Sequence, residues 1–118
     1  MNNNAILKKV MISHCMRHED VEEAFALAGA EVGGSDLRGF LAGSSNKNFI
    51  PLSDALLEKF LDGVVFYARG PKEEPHLLPR GIENYIIAQI EAGNDAVLDE
   101  IDGLINDVQD ARQECGSE

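Results

Sequence analysis

Three prolines, Pro71, Pro75 and Pro79, fall within the thirteen residues RGPKEEPHLLPRG (69–81). Proline offers no backbone N–H, and its ring clashes with the preceding turn of a helix. A regular element running through this stretch is therefore excluded, and the chain divides around it. The division predicted from sequence is an N-terminal unit over 1–69, a connection over 70–81 and a C-terminal segment over 82–113. Apolar residues on both sides recur at intervals of three and four, so the expected fold class is all-α.

Four helices are predicted before the prolines. Asn3 or Asn4 can cap the first, in which Ile6, Leu7, Val10, Met11 and His14 share a face. The stretch HEDVEEAFALAG gives the second. Its opening acids Glu19, Asp20, Glu22 and Glu23 suit the positive end of the helix dipole, and Gly29 is a natural stop. VGGSDLRGFLAG reads as a short third helix with a weakened capping box, Gly33 standing where serine or threonine is commoner. After the polar loop GSSNKNFIP comes a fourth helix, capped by Ser53, whose aliphatic stripe is read as core. Gly63 interrupts that helix, and close packing of a neighbour is the role expected of it.

Beyond the prolines, Ile82, Tyr85, Ile86, Ile87 and Ile90 form one helical face. Gly93-Asn94-Asp95 can end that helix and cap another. In the last segment Val97, Ile101, Leu104, Val108 and Ala111 step by four and three, while Leu98 and Ile105 widen the stripe. A helical hairpin and one unbroken helix over 82–113 both remain open, because a glycine inside a helix costs only about 1 kcal/mol.

Charge narrows the choice of partners. The net charge of -11 is concentrated at the C-terminal end: residues 81–118 hold ten acids and only Arg112. Phosphate backbones and anionic lipid surfaces are bound through cationic side chains, so neither nucleic acid nor a membrane is an expected partner. No apolar run approaches the roughly 18 residues that span a bilayer. The polar start MNNNAILKK differs from an export signal, which makes the cytoplasm the expected location. There Cys15 and Cys115 are expected as reduced thiols.

Residues 3–70 resemble the YehS-like bacterial proteins, a helical domain of unknown function that usually occurs as two tandem copies. The resemblance rests on NNAILKKV (3–10), DVEEAFALAG (20–29), NKNF (46–49) and FLDGVVFYARG (60–70), in that order and spacing. It implies a fold and no activity. It also implies that one copy of the domain pairs with another, which a second chain could supply here.

The chemistry-bearing residues point away from catalysis. His14 and His18 stand four apart around Cys15, a spacing that would place two metal ligands on one helix face. The acids that follow predict a helix junction between the histidines, so no metal is expected, and no other cofactor. Cys15 and His14 are neighbours on a helix, pointing about 100 degrees apart, which does not make an activated thiol. Paired carboxylates are unremarkable in so acidic a chain, and there is no glycine-rich phosphate loop.

The chain is thus read as a non-enzymatic interaction module forming a homodimer, with Val97, Leu98, Ile101, Leu104, Ile105 and Val108 as the expected interface. The alternative is a small enzyme or ligand-binding protein. Its polar site would lie near Asn46–Phe49 and use Asn46, Lys47, Asn48 and Arg69.

Overall fold

A computed structural model describes residues 1–116, with side-chain surroundings through residue 114. Among these are six helices and no strand: α1 (Asn3–Ser13), α2 (His18–Leu27), α3 (Gly34–Leu41), α4 (Asp54–Arg69), α5 (Arg80–Glu91) and α6 (Val97–Gly116). The all-α expectation holds. The chain forms two compact units, Met1–Tyr85 and a second beginning at Ile86.

Helix ends follow local chemistry, with one correction. Neither Asn3 nor Asn4 caps α1; the Asn2 side chain does so, accepting from the Ala5 N–H at 2.8 Å. The other two asparagines lie inside the helix and reach outward. Asn4 is buried and makes three hydrogen bonds. It donates to the carbonyls of Phe40 and Ile50, both at 2.9 Å, and accepts from the Leu52 N–H at 3.0 Å. Asn3 donates to the Leu52 carbonyl at 3.0 Å and to Asp54 at 2.6 Å. A buried amide satisfied in this way fixes its neighbours closely, because any lost bond leaves a desolvated polar group. Here it ties α1 to the end of α3 and to the approach to α4. Ser53 caps α4 through the Leu56 N–H, as expected.

The core of the first unit lies between α2 and α4, with α1 and α3 closing it. Leu7, Val21, Phe25, Leu37, Phe60 and Tyr67 are its largest fully buried side chains. The Phe25 and Phe60 rings pack with centroids 5.3 Å apart, tilted by 39°. Burying aromatic side chains of this size contributes about 1.5–3 kcal/mol each. Gly63 is what allows the two helices so close: a Cβ there would overlap the backbone carbonyl of Ala24.

In the second unit α6 follows α5 after a sharp turn. Gly93 takes a φ of +84°, and the Asn94 N–H returns to the Gln89 carbonyl at 2.9 Å. This six-residue closure is a Schellman motif, which stops a helix with an αL residue. Residues 82–113 therefore form two helices rather than one. None of the described residues of α6 is buried.

Candidate functional site

Around Cys15 the backbone decides what the side chains can do. Cys15 adopts a φ of +51°, the left-handed region, and ends α1 in the same closure as Gly93: Met16 N–H to Met11 carbonyl at 2.9 Å and Cys15 N–H to Ile12 carbonyl at 3.1 Å. His14 thus closes one helix and His18 opens the next, so the continuous face that a metal-binding pair requires is absent. No three His, Cys, Asp or Glu side chains among the described residues are grouped to hold a metal ion. Cys15 is a free thiol; the Cys115 side chain lies outside the described residues.

The loop between α3 and α4 is built on Asn46. Its Oδ1 accepts from the Asn48 N–H at 2.8 Å, an Asx turn, and its carbonyl accepts from the Phe49 N–H at 3.0 Å. Asn46 and Asn48 line an open groove of about 760 Å³, together with His18, Asp36 and Arg38. Lys47 stands exposed between the two asparagines and, like Arg69, does not line this groove. Arg69 ends α4, where its carbonyl accepts from the His76 N–H at 2.7 Å. The structure therefore brings Asn46 and Asn48 together and leaves Arg69 apart from them.

The densest polar constellation involves residues that sequence reasoning did not select. The Arg80 guanidinium lies 4.1 Å from the centroid of the Tyr67 ring, 2.8 Å from Glu23 and 3.8 Å from Asp20. Asn84 Nδ2 donates to the Tyr67 hydroxyl at 2.7 Å and to the His14 carbonyl at 3.2 Å. Asp20 also closes the start of α2, accepting from the Arg17 N–H at 2.8 Å. Burial pushes the Tyr67 hydroxyl above the ordinary tyrosine value. The Asn84 hydrogen bond and the Arg80 charge pull it back only in part, and the Asp20 carboxylate pushes it further up. At neutral pH it is a phenol, suited to hydrogen bonding rather than to acting as a base. Burial works against the Arg80 charge, but the Glu23 hydrogen bond, Tyr67 and Asp20 outweigh it, so Arg80 is held firmly protonated. The constellation docks the first turn of α5 onto α2 and α4. One sequence signal did exist: an arginine opening a helix is disfavoured by the helix dipole, which points to a partner elsewhere in the fold.

On α6 the six residues expected at an interface occupy one stripe. Leu98, Leu104, Ile105 and Val108 are exposed, Leu104 by 62%, and Val97 and Ile101 are half-buried. No helix among the described residues is long and apolar enough to cross a membrane.

Residues 3–70 match the family described as a protein of unknown function (DUF1456). The chain belongs to this family. The match covers the residues that resemble the YehS-like domain, from the start of α1 to the glycine that ends α4. No curated protein and no solved structure matches the chain. Within this DUF1456 segment lie Asp20, Glu23 and Tyr67. Arg80 and Asn84, which bind them, come from beyond it.

Proposed function

We propose that this DUF1456 chain is a non-enzymatic protein–protein interaction module that pairs with a second copy of itself through α6. The observation that carries this reading is the apolar stripe of α6, in which Leu98, Leu104, Ile105 and Val108 are exposed. None of the described residues of the unit beginning at Ile86 is buried, so that unit builds no core of its own. An amphipathic helix on such a unit gains most of its stability from whatever covers its apolar face. A second copy is always at hand to do so, and two-fold dimers are the commonest assemblies.

The acid excess of residues 81–118 speaks against nucleic acid or an anionic membrane as the covering surface. The free Cys15 thiol is compatible with a reducing compartment such as the cytoplasm. Light scattering at micromolar concentration should give a mass near twice 12.9 kDa. Replacing Ile101 and Leu104 together by Asp should return it towards a single chain. A monomeric mass for the unaltered protein overturns the reading.

A further inference from the structure

The stripe on α6 has an internal order that bears on how two copies would meet, given the self-association proposed above. Val97, Ile101, Leu104 and Val108 are separated by four, three and four residues. In a two-stranded coil these are seam positions, with the β-branched Ile101 and Val108 at a and with Val97 and Leu104 at d. Branched residues at a with leucine at d favour two parallel strands.

The flanks of the seam separate the orientations further. One flank, the g positions, carries Glu100 and Asp107. The other, the e positions, carries Leu98, Ile105 and Arg112. In an antiparallel pair each flank faces its own kind, which sets acids against acids. In a parallel, in-register pair each g residue faces the following e residue of the other helix. Asp107 then meets the partner subunit's Arg112, and Glu100 lies beside an isoleucine instead of another acid. Arg112 is the one Lys or Arg in residues 81–118, and it occupies the position where a parallel pair brings it to an acid.

We infer that α6 forms a parallel, in-register two-stranded seam with a second copy of this chain, oriented by reciprocal Asp107–Arg112 contacts. The two-fold axis runs along the helices, so each contact occurs twice. Two measurements test this. Sedimentation equilibrium should show Arg112→Glu weakening association about tenfold, since two contacts change from attraction to repulsion. Combining it with Asp107→Arg should restore most of the loss. Separately, Ile101→Cys in a background with Cys15 and Cys115 replaced by Ser should form an intermolecular disulfide in high yield under mild oxidation. A parallel, in-register seam places these two a positions side by side. A dimer indifferent to the charge exchange, whose introduced thiols remain reduced, overturns the parallel seam and leaves self-association standing. A monomer at every concentration overturns both.

Discussion

Arg80 lies over the face of Tyr67, 4.1 Å from the ring centroid, while its Nη1 donates to Glu23 at 2.8 Å. One side chain thereby holds the first turn of α5 against two helices of the core. Cation–π contacts contribute about 0.5–1 kcal/mol when exposed and about 2 when desolvated. Arg80 is partly covered, and its ion pairs are screened by solvent. Arg80→Ala is therefore expected to lower stability by about 1–2 kcal/mol in urea denaturation. Hydrogen exchange should accelerate at residues 82–85 more than in α2 or α4. Unchanged exchange there would remove the anchoring role.

Tyr67 gives the protein an alkaline limit. Its hydroxyl value in the fold lies above the ordinary 10.0, so the folded state holds the proton more tightly than the unfolded one. The resulting stabilisation is complete below about pH 10 and is lost as pH rises through the folded value. Tyr67→Phe should show a shallower fall in melting temperature above pH 10. At neutral pH it should cost about 1 kcal/mol, because Asn84 loses one of its two acceptors. Parallel alkaline limbs for the two proteins would contradict this assignment.

Gly63 leaves no room for a methyl group. In an exposed helix Gly→Ala stabilises by about 1 kcal/mol. Here the added Cβ meets the backbone carbonyl of Ala24, which has no rotamer with which to move aside. Overpacking of this kind costs about 1–3 kcal/mol, and backbone contact belongs at the upper end. The variant should thus melt below the parent despite its better helix former. A rise in melting temperature would mean that α2 and α4 are not held this close.

Much of the architecture could be read from residue order, because it depends on neighbours three and four positions apart. Ser53, Gly29 and the junction between His14 and His18 are local features, and each is found where its chemistry predicts. Two matters were not local. Whether 82–113 formed one helix or two depended on a glycine whose cost in a helix is small, and the αL closure at Gly93 decides it. Asn4 resembles a capping residue by type and position, yet its partners lie 36, 46 and 48 residues away. Of the candidate ligand residues, Asn46 and Asn48 share a groove, while Arg69 stands at the end of a different element. The Arg80 constellation draws on α2, α4 and α5 and follows no fixed spacing, so no motif could announce it.

Asn4 makes the beginning of the chain an architect of the groove. Its amide fixes the carbonyls of Phe40 and Ile50 and the N–H of Leu52, the residues that bracket the turn built on Asn46. Unwinding the first turn of α1 would release all three at once and let the groove relax. Trimming into this turn would therefore alter a surface some 40 residues further along the sequence.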